Sequence, residues 1–163
     1  DPYLRVAAGA VVVIMITIVT GCYDYNGTGM SVITDALAGH AHPEAFALKL
    51  LLTALTLGAG FKGGEIVPAF FVGSTFGCTI AAVLGMDPVL AAELGLIGLF
   101  CSVVNCPVTS ILLSVELFGS DNFLYFGLTA AVTYLLSGYY SLYSGQKFMN
   151  SKLVPYPLEK SAN

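Results

Sequence analysis

A glycine-rich break between two strongly apolar segments constrains this chain more than any other feature. Residues 58–77 read GAGFKGGEIVPAFFVGSTFG, and an apolar pattern resumes after Pro68. Because proline is favoured in the first turn of a helix, a helix is predicted to start at Pro68. Backbone groups at membrane depth have no water to satisfy them, so such a break survives where its free N–H groups line a cavity or hold a ligand. The exposed end would be a helix N-terminus, which favours an anion.

The composition indicates a membrane protein. Hydrophobic residues make up 56% of the 163 residues and charged residues only 10%, whereas a soluble domain carries about 25% charged residues. The formal net charge of −4 comes from few residues and does not suggest nucleic-acid binding. The cysteines have no zinc-site spacing and are interpreted as small apolar residues, so we expect no metal site and no cofactor. They are Cys22, Cys78, Cys101 and Cys106.

The apolar segments predict an all-α, polytopic membrane protein with short and broken helices. A full span needs about 20 apolar residues, yet several segments are nearer half that length. Short helices interrupted by glycine or proline are typical of transporters with a site near the bilayer midplane. Gly73 and Gly77 form a small-residue pair suited to close helix packing. The predicted helices are Val6–Thr20, Ser31–Ala38, Glu44–Leu57, Pro68–Leu84, Val89–Val104, Val108–Phe118 and Phe123–Ser137.

Residues 1–145 are predicted to hold the transmembrane helices and residues 146–163 to form a C-terminal tail. Lys147, Lys152 and Lys160 lie in that tail, so the positive-inside rule places the C-terminus in the cytoplasm. At the other end, Asp1-Pro2 leads directly into an apolar run without a signal-peptide pattern. We interpret the chain as an internal part of a longer protein.

Three elements stand in an order that resembles one family. Residues 63–68, GGEIVP, are similar to a Gly-x-Phe-x-Pro element. Residues 99–118, LFCSVVNCPVTSILLSVELF, are similar to a small-residue helix followed by x-Pro-x-Thr and an apolar run ending in glutamate. Leu142-Tyr143-Ser144 is similar to a Leu-Tyr-Ser element. In this order they resemble the second half of the CLC chloride channels and anion/proton antiporters, over roughly Phe46 to Lys152.

The resemblance implies the C-terminal half of a CLC-type inverted-repeat fold. It also implies transport of a small inorganic anion, chloride or fluoride, by a channel or a proton-coupled antiporter. The expected setting is a homodimer in a prokaryotic membrane, associating through the apolar faces of Val108–Phe118 and Phe123–Ser137. The family's gating glutamate and first filter loop belong to its first half, and nothing in this chain can stand in for them.

The sequence departs from the family pattern at three positions. Ile66 replaces the usual phenylalanine, Glu65 replaces an apolar residue, and Asn105 replaces a commonly basic residue. Residues 60–65, GFKGGE, resemble the divergent prokaryotic branch that includes the fluoride/proton antiporters.

The predicted anion-binding residues of the break are Gly63, Gly64, Glu65 and Ile66. Glycines let the backbone approach an ion closely. Without the family resemblance, the glycine pattern is equally consistent with a plain hinge between packed helices. The Glu65 carboxylate would repel an anion, so it is expected to point away, with only its amide in contact, or to pair with Lys62. A proton-handling role for this carboxylate stays open.

Tyr143 is the fifth predicted anion contact, because the family tyrosine reaches the central anion. A phenol hydroxyl can donate a hydrogen bond to an anion. The alternative is a tyrosine of the interfacial belt. Lys49, within an apolar helix, is expected to extend its ammonium to an interface.

Two other classes of function fit the sequence less well. A cation-coupled transporter of another inverted-repeat family would present helix C-termini and membrane carboxylates, whereas this break opens into a helix N-terminus. An intramembrane enzyme needs a nucleophile with a base, or metal ligands, at membrane depth. His40 and His42 both lie outside the apolar segments, so no enzymatic activity is expected.

Overall fold

The computed structural model describes residues 1–143, 145–153 and 157–161. Two short strands, β1 (Lys147–Asn150) and β2 (Pro157–Ser161), pair antiparallel in the tail. The predicted all-helical architecture is confirmed for the membrane segments, whereas the two paired strands of the tail were not predicted from the sequence. The helices are α1 (Pro2–Thr20), α2 (Met30–Leu37), α3 (Ala45–Ala59), α4 (Ile66–Leu84), α5 (Pro88–Val104), α6 (Pro107–Phe118) and α7 (Phe123–Leu136).

Two Asp-Pro pairs start helices earlier than the apolar pattern predicts. Asp1 and Asp87 are N-caps, and each side chain accepts a backbone amide at 3.1 Å. Pro2 and Pro88 occupy the first helical positions, where the missing N–H costs nothing. The first predicted helix therefore gains a turn before Val6, because capping rather than hydrophobicity sets where it begins.

Helices α4 and α5 form an antiparallel pair in direct backbone contact. A Cβ on Gly77 would lie 2.1 Å from the carbonyl oxygen of Ala91, and a Cβ on Gly95 would lie 2.2 Å from that of Gly73. No side chain fits between the two backbones at these points. The predicted small-residue pair therefore lies at the tightest helix contact among those described.

The remaining helices are arranged around this pair. Helix α3 packs on α4, and α1 packs on α3, while α2 contacts both α4 and α5. On the opposite side α6 and α7 pack against α5 and against each other. Phe71 of α4 and Phe126 of α7 are fully buried, so the apolar core runs through both sides of the α4–α5 pair.

Helices α1 and α4 are each long and apolar enough to cross a membrane. The surface of α1 is largely exposed apolar side chains, among them Leu4, Ile18 and Val19. A continuous apolar surface of this kind is unfavourable when it is exposed to water.

The glycine contact predicts a sharp sensitivity to one methyl group. Gly77→Ala would force α4 and α5 apart, since the new Cβ meets backbone atoms that cannot rotate away. Overpacking of this kind costs about 1–3 kcal/mol, so we expect a lower thermal unfolding midpoint in detergent. Gly58→Ala is the matched control, because a Cβ at Gly58 meets nothing within 4 Å. Equal midpoints for both variants would contradict the contact.

Candidate functional site

The break begins where α3 ends at Gly60. Gly60 is in the left-handed conformation, with φ +99°, and its amide donates to the Leu57 carbonyl at 3.0 Å. The Phe61 amide donates to the Thr56 carbonyl at 3.1 Å. This pair of bonds is the Schellman arrangement, which satisfies carbonyls at a helix C-terminus and favours glycine in the left-handed position. The local sequence thus stops α3 and turns the chain towards residues 61–64.

The break ends at the N-terminus of α4, two residues before the predicted start at Pro68. Glu65 is the N-cap, and its carbonyl accepts the first helical bond from the Ala69 amide at 3.1 Å. In the described residues this end has no side-chain cap. The first amides of a helix have no intrahelical partner, so those of Ile66 and Val67 remain available, whereas Pro68 has no N–H to offer.

Gly63 and Gly64 lie exposed in the segment that joins the two helices. Neither has a positive φ, and a Cβ on either would meet nothing within 4 Å. Within the described chain, therefore, neither backbone conformation nor packing requires glycine at these positions.

The alternative expected for the Glu65 carboxylate, a pairing with Lys62, does not form among the described residues. The one salt bridge among the described residues joins the exposed side chains of His42 and Glu44 at 3.9 Å. Lys62 is exposed and Glu65 is half-buried. The carboxylate is thus not neutralised by the nearest lysine along the chain.

A cavity of about 530 Å³ lies beside the break. Its walls come from α1, the loop after α1, α3, residues 61–64 and the first turn of α4. Lys49 and Lys62 line it together with Gly63 and Gly64, and no aspartate or glutamate is among its described lining residues. The cavity therefore carries positive charge at the end of α4 that already favours anions.

Lys49 is the functional candidate that the sequence reading placed wrongly. It is 3% exposed rather than extended to an interface. Its Nζ donates to the carbonyls of Tyr25 at 3.0 Å and Gly27 at 2.6 Å, and it lies 5.0 Å from the centre of the Phe71 ring. Two backbone carbonyls and an aromatic face compensate the buried ammonium without contact with water. The available signal was the lysine itself, since an intramembrane ionisable residue is a functional candidate by default.

The loop that receives Lys49 contributes Tyr25 to the cavity wall. Burial, and then the nearby Glu44, raises the pKa of the Tyr25 phenol above its ordinary value. The side chain therefore stays neutral and can donate a hydrogen bond at neutral pH.

Arg5 compensates the C-terminus of α3. Its Nε donates to the Ala59 carbonyl at 3.2 Å, across from α1. Helix C-termini carry partial negative charge, which a cation at the last turn offsets. Of the two helix ends on either side of the break, the negative one is thus partly neutralised.

Tyr143 lies in the segment that follows α7, and it is 51% exposed. The preceding residue, Leu142, donates its amide to the Val103 carbonyl at 2.9 Å, at the C-terminal end of α5. Because α4 and α5 are antiparallel, this is the same end of the pair as the N-terminus of α4. Tyr143 does not line the cavity, and Ser144 lies outside the described residues.

A known family and several known proteins match large parts of this chain. The family model described as voltage gated chloride channel matches residues 1–138. The chain is 31% identical over 128 residues to a chloride/fluoride channel protein of Pseudomonas syringae pv. tomato, covering 78% of this chain and 28% of that protein. It is 29% identical over 103 residues to the H(+)/Cl(−) exchange transporter ClcA of Vibrio parahaemolyticus, covering 56% of this chain and 22% of that protein.

A solved structure shows the same fold. The crystal structure of a CLC-type fluoride/proton antiporter superposes with a TM-score of 0.83 at 31% sequence identity. The match covers 88% of this chain and 36% of the antiporter chain, so this chain spans about a third of the antiporter's length. It is a membrane protein and belongs to the voltage-gated chloride channel (CLC) family.

Proposed function

We propose that this chain forms one wall of a pathway that carries a small inorganic anion, chloride or fluoride, across a membrane. The observation that carries the proposal is the uncapped N-terminus of α4 beside a cavity that has two lysines and no carboxylate among its described lining residues. Anions bind at such helix ends because free amides and the dipole both favour negative charge.

The amides of Glu65 and Ile66 are the proposed contacts for the anion. Both precede the point where the amides of α4 find partners within the helix. Gly63 and Gly64 complete the site because an approaching ion needs the space that a side chain would fill. The Glu65 carboxylate points away from the anion in this arrangement. Tyr143 lies outside the cavity but at the same end of the α4–α5 pair, and its hydroxyl is the proposed donor from the tail side.

Lys49 supplies a buried positive charge to the same cavity. A unit charge about 10 Å from an anion contributes roughly 1.7 kcal/mol at an effective dielectric constant of about 20. Arg5 acts in the same direction by offsetting the negative end of α3. A cation-coupled transporter would need the opposite charges at this break, and this is why we favour an anion.

Proton coupling is part of the proposal as one of two modes of transport. The Pseudomonas syringae relative is named a channel, and the Vibrio parahaemolyticus relative is named an exchange transporter. Both modes move an anion, and they differ in whether protons move with it.

The surroundings of the chain complete the proposal. We propose a homodimer in which α6 and α7 meet the partner, supported by exposed apolar side chains such as Leu112, Leu124 and Leu128. Lys147 and Lys152 favour a cytoplasmic tail. The membrane would be the inner or plasma membrane of a prokaryote.

The direct test is efflux from liposomes that contain the full-length protein. Vesicles loaded with chloride or fluoride are diluted into a medium without that anion, and internal pH is recorded at the same time. We expect efflux of at least one of the two anions, with an accompanying pH change if the protein is an antiporter. Absence of efflux for both anions, from protein that is folded by size-exclusion chromatography, would reject the proposal.

The amide contact predicts a difference between two substitutions at one residue. Glu65→Ala removes the carboxylate and keeps the amide, whereas Glu65→Pro removes both and requires φ to move from −98° towards about −65°. Because a hydrogen bond to a charged group is worth about 1.5–3 kcal/mol, the proline variant should bind the anion roughly tenfold to a hundredfold more weakly than the alanine variant. The anion dependence of the efflux rate measures this. Equal affinities would assign any effect to the carboxylate instead.

The buried charge predicts that Lys49→Met weakens anion binding by roughly twentyfold, as expected for about 1.7 kcal/mol of lost attraction. Lys49→Arg keeps the charge and should retain most of the affinity. Lys147→Met removes an exposed tail lysine and is the control. Thermal unfolding of all three separates loss of charge from loss of folding, since Lys49 also binds two loop carbonyls. If the arginine variant loses as much affinity as the methionine variant, charge is not the cause.

A further inference from the structure

The ammonium of Lys152 lies in a cluster that the anion site described above does not use. Its Nζ donates to the Tyr134 carbonyl at 2.8 Å, to Ser137 Oγ at 3.0 Å and to Asn105 Oδ1. It also lies 4.0 Å from the centre of the Tyr134 ring. An ammonium has three N–H donors, and here each of them has an acceptor.

These acceptors belong to the C-terminal ends of two helices. Asn105 follows the last residue of α5, and Tyr134 and Ser137 lie in and just after the last turn of α7. Helix C-termini carry unpaired carbonyls and partial negative charge, for which a lysine ammonium is a favourable partner. One tail side chain thus binds α5 and α7 together at the same end.

Asn105 is the centre of this cluster. It is 4% exposed and has a left-handed backbone, with φ 58°, a conformation that asparagine tolerates better than most residues. Its Oδ1 accepts from Ser137 Oγ at 3.0 Å as well as from Lys152. Its Nδ2 donates to the Tyr140 carbonyl. The amide therefore connects the end of α5 to both ends of the segment between α7 and Lys152.

The segment that carries Tyr143 runs between these attachment points. Leu142 donates its amide to the Val103 carbonyl at 2.9 Å. The backbone amide of Lys152 donates to the Tyr139 hydroxyl at 3.1 Å. The rings of Tyr139 and Phe148 pack edge to face, with their centroids 5.4 Å apart. Lys152 is thereby the distal anchor of a closed stretch that includes Tyr143.

We infer that Lys152 is a positioning residue that holds the Tyr143 segment against the C-terminal end of α5. The inference rests on the proposed function, in which the Tyr143 hydroxyl meets the anion. Lys152 does not contact the anion itself. It fixes the position of Tyr143 by binding the tail to the C-terminal ends of α5 and α7.

The first test measures the anchoring without any transport. Hydrogen exchange of the Leu142 amide, followed by mass spectrometry of the full-length protein in detergent, reports opening of this segment. Lys152→Met should speed this exchange by roughly tenfold to a hundredfold, the value of a hydrogen bond to a charged group. Lys147→Met is the matched control, and Lys152→Arg should restore most of the protection. Unchanged exchange in Lys152→Met would overturn the inference even if the protein transports anions.

The second test asks whether the anchoring acts through Tyr143. Lys152→Met, Tyr143→Phe and the double variant are compared in anion affinity from liposome efflux. We expect each single variant to bind more weakly and the double variant to be no weaker than Tyr143→Phe alone. Additive losses, or unaltered affinity in Lys152→Met despite faster exchange, would overturn the positioning role. If the wild type moves no anion, the proposed function fails, and the exchange result alone then decides whether Lys152 anchors the segment.

Discussion

The backbone contact between α4 and α5 is the constraint on which the rest of the structure depends. Gly73, Gly77 and Gly95 let the two helices touch without side chains between them. Because the pair is antiparallel, the contact brings the N-terminus of α4 to the same end as the C-terminus of α5. The glycine break leads into the first of these ends, and the tail is bound to the second. The proposed anion site and the tail anchor therefore both depend on the spacing of this pair.

Charge is arranged around the break at an energetic cost. A buried ammonium is unfavourable unless its hydrogen bonds are made, and Lys49 makes them to backbone carbonyls rather than to a carboxylate. A carboxylate partner would have cancelled its charge, whereas carbonyl partners leave most of its attraction for an anion intact. Arg5 lowers the repulsion from the end of α3. Both features, the carbonyl partners of Lys49 and the position of Arg5, favour a negative ion in the cavity.

Much of the fold could be predicted because apolar runs, glycines and prolines mark helices and their ends locally. The break at residues 61–64, the helix after it and the small-residue pair in α4 all follow from such local signals. The burial of Lys49 could not, since its acceptors are 22 and 24 residues away in a loop. The same holds for Asn105: its departure from a basic residue was visible, but the lysine that reaches it lies 47 positions later. Contacts of this range depend on tertiary structure, which a linear pattern does not contain.

A crystal structure of the full-length protein with its anion bound would test the central claim most directly. Efflux first identifies whether chloride or fluoride is carried, and crystals are then grown in that anion. We expect density for the anion roughly 3 Å from the amide nitrogens of Glu65 and Ile66, with Gly63 and Gly64 beside it. An anion bound in the pathway without contact to either amide would contradict it.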